Sequence, residues 1–101
     1  MNFSHTYDGK TLIIYLAGDM DHCHITKFKD SVDDMIKWYK PQILKLDYAN
    51  VHFMDSAGIG FILGRIKLMY QYDGKIILSS THKSVKKVLE LACIGKYAQI
   101  V

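Results

Sequence analysis

From Thr11 onward the apolar residues of this chain switch repeatedly between two periods, and few folds satisfy that alternation. Thr11-Leu12-Ile13-Ile14-Tyr15-Leu16-Ala17 is nearly continuous in apolar character, which reads as a strand covered on both faces near the centre of a sheet. Ile25, Phe28, Val32, Met35, Ile36 and Tyr39 then recur at three- and four-residue steps, an amphipathic helix that Pro41 ends. Gln42 to Tyr48 returns to strand alternation, and Ile59 to Tyr72 carries a second helical stripe of Ile59, Ile62, Leu63, Ile66 and Met69, closed by Asp73-Gly74. Lys75 to Leu78 reads as a short strand, Ser84 to Cys93 as a third helix capped beyond its end by Gly95, and Tyr97 to Val101 as a last strand. This order predicts an α/β domain with a mainly parallel or mixed sheet, right-handed crossovers and helices packed on the sheet.

A β-hairpin precedes the alternation. Phe3 to Tyr7 and Lys10 to Ala17 are extended runs joined by Asp8-Gly9, the dipeptide suited to the positive backbone angles of a tight turn. A length of 101 residues suits one core, so residues 1–101 are expected to form a single domain. Half of the residues are hydrophobic and 23% are charged, which excludes the composition of a disordered chain. No repeat, linker or low-complexity segment interrupts them.

Several function classes lose support at once. The formal charge of +3 is small and the lysines are scattered, so no phosphate-tracking stripe points to nucleic acid. No apolar run reaches the ~18 residues of a membrane span, and Met1-Asn2-Phe3-Ser4-His5 lacks the regions of a signal peptide, so a cytoplasmic protein without membrane insertion is expected. Cys23 and Cys93 stand alone and are expected to stay reduced. His22-Cys23-His24 places adjacent ligands in divergent directions and no second cluster completes a tetrahedral set, so no metal is expected. Gly58, Gly60 and Gly64 follow neither the dinucleotide fingerprint nor a P-loop with its lysine, so a nucleotide cofactor and a nucleotide-binding enzyme are weak readings. Ser56 lacks a nucleophile elbow, and catalysis is not expected.

The informative segment is Val51-His52-Phe53-Met54-Asp55-Ser56-Ala57-Gly58-Ile59-Gly60, between a strand and the second helix. Ligands and partners of α/β sheets collect at this edge. Ser56 stands where a helix N-cap belongs, and satisfying first-turn amides is a sufficient role for it. Asp21 is the corresponding candidate cap for the first helix. Each glycine inside a helix costs about 1 kcal/mol relative to alanine, so Gly58, Gly60 and Gly64 need a compensating reason. Close packing on the sheet suits Gly64, and close approach of another molecule suits Gly58.

Phe53-Met54-Asp55-Ser56-Ala57-Gly58-Ile59-Gly60, with Leu63-Gly64-Arg65 behind it, resembles the signature loop and helix of STAS-domain anti-sigma-factor antagonists of the SpoIIAA type. Gly18-Asp19-Met20-Asp21-His22 is similar to that family's second loop, and Ser84-Val85-Lys86-Lys87-Val88-Leu89-Glu90 to its third helix. The resemblance runs over nearly the whole chain in the right order. Two departures stand out. Ala57 occupies a place where many relatives carry a second hydroxyl, and relatives continue into another helix where this sequence reaches Val101.

The resemblance implies a partner-switching phosphoprotein of transcription regulation. Its unphosphorylated form would bind an anti-sigma factor that is also a serine kinase and so release a sigma factor. Phosphorylation at Ser56 would end that interaction, and a serine phosphatase would restore it. Asp21, His22, Asp55, Ser56, Ala57, Gly58, Ile59 and Gly60 are then the expected partner-binding residues, with sporulation as the expected pathway. A scaffold module of the same family without regulated phosphorylation, in a lipid-transport or stressosome-like assembly, is the alternative.

Overall fold

The computed structural model describes residues 2–101. Its elements follow the order β1 (Asn2–Tyr7), β2 (Thr11–Ala17), α1 (His22–Tyr39), β3 (Ile43–Asn50), α2 (Ser56–Tyr70), β4 (Lys75–Ser79), α3 (Lys83–Leu91), a short 3-10 helix (Ile94–Lys96) and β5 (Gln99–Ile100). The β1–β2 turn is built as its sequence requires. The Asp8 carboxylate accepts from the backbone N–H groups of Lys10 at 2.9 Å and Thr11 at 2.7 Å, and Gly9 takes a φ of 94°. These bonds hold the Asp8 carboxyl below its ordinary range, the one from Thr11 contributing most.

The five strands pair in the order β1-β2-β3-β4-β5, antiparallel for the hairpin and parallel thereafter. Register lines up Leu12, Leu44 and Ile76 in one row and Ile14, Leu46 and Leu78 in the next, all buried. A buried Leu or Ile contributes about 1.5–3 kcal/mol, so a one-residue slip that turned these rows outward would be prohibitive.

Sequential order has a further consequence. Right-handed crossovers between parallel strands taken in sequence place every helix on the same face of the sheet. That face holds the core, where Ile25, Phe28, Val32 and Ile36 of α1, Phe61, Ile62 and Met69 of α2 and Val85 and Leu89 of α3 join the strand rows. The expectation that β2 is covered on both faces is therefore corrected. Leu12, Ile14 and Leu16 are buried, whereas Ile13 on the other face is half-buried and Tyr15 is exposed.

The C-terminal segment also departs from its expected form. α3 ends at Leu91, and Cys93 itself adopts a left-handed φ of 57°, so Gly95 lies within the 3-10 helix and is not a helix cap. The 3-10 turn consumes Ile94–Lys96, which leaves β5 two residues long. α1 stops as expected, with Lys40 left-handed at φ 47° directly before Pro41.

Between α1 and α2 lies one buried charge pair. Arg65 Nε approaches Asp33 Oδ1 at 2.8 Å, and an Arg65 terminal nitrogen donates to Asp33 Oδ2 at 3.3 Å. The guanidinium lies over the Phe61 ring at 4.7 Å, and Phe61 packs on Phe28 with centroids 5.1 Å apart. Burial pulls the Arg65 pKa down, and the neighbouring Asp33 charge opposes that shift. The pair joins the two helices whose first turns form the candidate site.

Candidate functional site at the carboxyl edge of the sheet

Two strand-to-helix junctions are tied together at the carboxyl ends of β2 and β3. Met20 and Met54 form an isolated parallel bridge. The Met20 N–H donates to the Phe53 carbonyl at 2.9 Å, and the Asp55 N–H donates to the Met20 carbonyl at 3.2 Å. Asp21 and Asp55 each follow a bridged methionine and each begins a helix, so the junctions are near-copies of one another.

Both aspartates are N-caps. Asp21 Oδ1 accepts from the His24 N–H at 3.0 Å, and Asp55 Oδ1 accepts from the Ala57 N–H at 2.8 Å. The cap expected of Ser56 is thereby corrected to Asp55, and Ser56 becomes the first residue of α2. The physical reason is local. Asp55 has the extended backbone of a cap, φ −107° and ψ −167°, and its short carboxylate reaches the second N–H of the turn. Freed from capping, Ser56 is exposed to solvent.

The first-turn amides of α2 are also largely occupied. Asp55 takes the Ala57 N–H through its side chain and the Gly58 N–H through its carbonyl at 3.0 Å. A phosphate on Ser56 would therefore enter the field of the helix dipole beside the Asp55 carboxylate, with the Ala57 and Gly58 amides already engaged.

The close packing expected of Gly64 is found at Gly58 instead. A Cβ on Gly58 would meet Met54 Cγ, Met54 Sδ at 2.7 Å and the Met20 carbonyl at 3.2 Å, so Gly58 is buried against the bridge by the chain's own packing. A Cβ on Gly64, expected to be the closely packed glycine, would meet nothing within 4 Å. The same is true of Gly60, which is exposed one turn beyond Ser56. Ala57 and Ile59 are half-buried and His22 is exposed.

Of the expected site residues, Asp21, His22, Asp55 and Ser56 are thus assembled at one edge, Gly60 continues the exposed line and Gly58 lies beneath it. His24 was not among them. Its Nδ1 lies 2.6 Å from Asp21 Oδ1, and this hydrogen bond is the main reason the Asp21 carboxyl is held below its ordinary range. An ionised carboxylate only accepts, so Nδ1 carries the proton. The spacing Asp-x-x-His at a helix start was the available signal, because cap and third helical residue face one another. Phe53, about half exposed, also stands beside the site, although its place in the family motif alone does not mark it as a surface residue. Among the described residues no group of His, Cys, Asp and Glu could hold a metal, and no helix is long and apolar enough to cross a membrane.

α2 differs from the other helices in what it shows to solvent. α1 exposes one large apolar residue, Trp38 near its C-terminal end, whereas α2 exposes Leu63 and Tyr70 in line with Ser56 and Gly60. A helix apolar on more than its core side is one that gains by being covered.

Comparison with known proteins agrees with this geometry. The STAS domain profile matches residues 4–100. An anti-sigma F factor antagonist of Paenibacillus polymyxa is 32% identical over 88% of this chain and 76% of its own length. The solved structure of the anti-sigma factor antagonist SpoIIAA in its unphosphorylated form, 24% identical, superposes with a TM-score of 0.85 over 99% of this chain and 88% of that one. The phosphorylated form of the Bacillus cell fate determinant SpoIIAA, 23% identical, gives 0.76 over 99% and 91%. With the five-stranded mixed sheet, the paired junctions and a profile match over nearly its whole length, this chain belongs to the STAS domain family.

Proposed function

We propose that this protein is an anti-sigma-factor antagonist whose unphosphorylated form binds an anti-sigma factor and releases a sigma factor, and whose binding is ended by phosphorylation of Ser56. The observation that carries the reading is the position of Ser56. It is an exposed hydroxyl at the first residue of α2, relieved of capping by Asp55 and flanked by Asp21 across the Met20–Met54 bridge. The named relatives support the same role, and the existence of phosphorylated and unphosphorylated forms of SpoIIAA supports the switch.

The chemistry follows from charge. A phosphoserine adds about −1.5 to −2 charge at neutral pH. Placed beside Asp55, it leaves the fold intact because among the described residues the Ser56 hydroxyl makes no hydrogen bond, but a partner surface fitted to a hydroxyl then meets repulsion and desolvation. A loss of about 3 kcal/mol, roughly 150-fold, suffices to change partners. The serine kinase is the anti-sigma factor itself and a separate serine phosphatase reverses the step. The chain performs no catalysis, acts in the cytoplasm and serves a sporulation sigma factor, for which the anti-sigma F relative is the support.

The test is incubation with a serine-kinase anti-sigma factor and labelled ATP. Label is expected on Ser56 alone, with loss of the complex, while Ser56→Ala stays unlabelled and bound. Label on Ser56→Ala, or a phosphorylated protein that keeps its full affinity, would sink the proposal.

A further inference from the structure

The carboxyl edge of the sheet changes electrical sign along its length. The loops after β2 and β3 carry Asp19, Asp21 and Asp55, whereas the helix after β4 opens with Lys83, Lys86 and Lys87, all exposed. β2, β3 and β4 are parallel neighbours in that order, so acidic loops and basic helix stand side by side.

α3 is fastened to the loop that bears Ser56. His82 Nε2 lies 2.7 Å from the Ala49 carbonyl, Ser84 Oγ donates to the His52 carbonyl at 3.3 Å, and the His52 and His82 rings stack with centroids 4.2 Å apart. The lysines are therefore held in fixed relation to Ser56.

The fold does not use these charges. Among the described residues neither ion pair involves them. Lys83 stands at the positive end of the α3 dipole, where a cation is disfavoured, with Lys86 and Lys87 one turn further along the same face before Glu90, and among the three α-helices α3 alone has neither a side-chain cap bond nor an acid in its first turn to compensate. Amphipathicity is already supplied by the buried Val85 and Leu89.

We propose that the lysine face of α3 docks an acidic segment of a protein partner, next to the Ser56 loop. A long polyanion such as DNA would continue onto Asp55, Asp21 and Asp19 and be repelled. A bilayer would need the apolar stripe of α3, which is buried, while the outer face of the helix exposes Leu91 as its large apolar residue. A partner that meets both poles must carry the complementary pair of charges, which fixes its orientation and speeds its encounter. This inference concerns α3 and stands independently of whether Ser56 is phosphorylated.

Amide NMR titration of the full chain at low salt, with a glutamate-rich peptide, a short DNA duplex and phosphatidylglycerol vesicles as parallel probes, tests it. The expected result is peptide-induced shifts confined to α3 and its preceding loop, weakened about tenfold or more in Lys83→Glu/Lys86→Glu/Lys87→Glu and retained in the corresponding triple Arg variant. Because the lysines are solvent-exposed, both variants are expected to keep the wild-type spectrum elsewhere. Shifts that are absent or spread over the protein's other lysines, tighter binding of DNA or vesicles than of peptide, or equal loss in the Arg variant would each overturn the proposal.

Discussion

The Asp55 N–H donates to the Met20 carbonyl at 3.2 Å, and through that bond the start of α2 is set against the start of α1. Each helix thereby begins at the same level of the sheet edge, each under an aspartate cap. The cap and the candidate phosphorylation site are separated by one residue: Asp55 supports the helix, and the exposed Ser56 beside it is left out of the cap.

That separation is measurable. Asp55→Ala is expected to cost about 0.5–2 kcal/mol, as the loss of a helix cap does. Ser56→Ala, at an exposed first helical position, is expected to stay within about 0.5 kcal/mol of wild type. Denaturant unfolding of the two variants decides the matter, and a larger loss for Ser56→Ala would return the cap to the serine.

Gly58→Ala and Gly64→Ala are expected to move stability in opposite directions. Alanine gains about 1 kcal/mol of helix propensity at either site. At Gly58 the new methyl collides with the Met54 side chain and crowds the Met20 carbonyl, and overpacking of this kind costs about 1–3 kcal/mol, so the net change is a loss. At Gly64 nothing opposes the gain. Thermal melts of both variants check it, and a stabilised Gly58→Ala would show that the bridge yields easily.

The fold was legible because period and punctuation agreed. Asp8-Gly9, Pro41 and the stripes of α1 and α2 each fixed an element whose neighbours it did not need to know. The faces of β2 were not legible, because an apolar run looks the same whether one or both sides are covered, and only the strand order decides. The cap was misassigned between adjacent residues, Asp55 and Ser56, since both are good caps by composition and the choice depends on where the Met20–Met54 bridge ends the strand. The glycines failed for a related reason. Gly58 and Gly64 are alike in sequence, and their surroundings come from a different strand and loop.

Tyr48 offers a test of the core. It is fully buried on β3, and among the described residues its hydroxyl meets no hydrogen-bond partner, so burial drives its pKa upward. An unsatisfied buried hydroxyl costs about 1–3 kcal/mol. Tyr48→Phe keeps the ring and removes that group, and it is expected to be at least as stable as wild type in urea. A loss above about 1 kcal/mol would mean the hydroxyl is satisfied in solution.

Asp21 separates cap from contact. Its carboxylate accepts from the His24 N–H and from the His24 imidazole, and the imidazole bond is the larger cause of its lowered pKa. The sign follows from linkage. A carboxyl that ionises more readily folded than unfolded stabilises the protein above its ordinary pKa of 3.8, and that contribution fades as pH falls through 3.8 and below. Asparagine still caps a helix, so Asp21→Asn should show only a small stability deficit at neutral pH, and the gap to wild type should close in strong acid. Partner binding should respond differently if Asp21 belongs to the proposed partner surface beside Ser56, because the variant loses its charge there. Affinity for the anti-sigma factor, or the rate of Ser56 phosphorylation, is expected to change several-fold at neutral pH. Urea melts at neutral pH and below pH 3.8, paired with calorimetric titration of the partner, separate the two roles. If affinity and rate both match wild type while the acid-dependent gap persists, Asp21 is a cap held by His24 and takes no part in recognition.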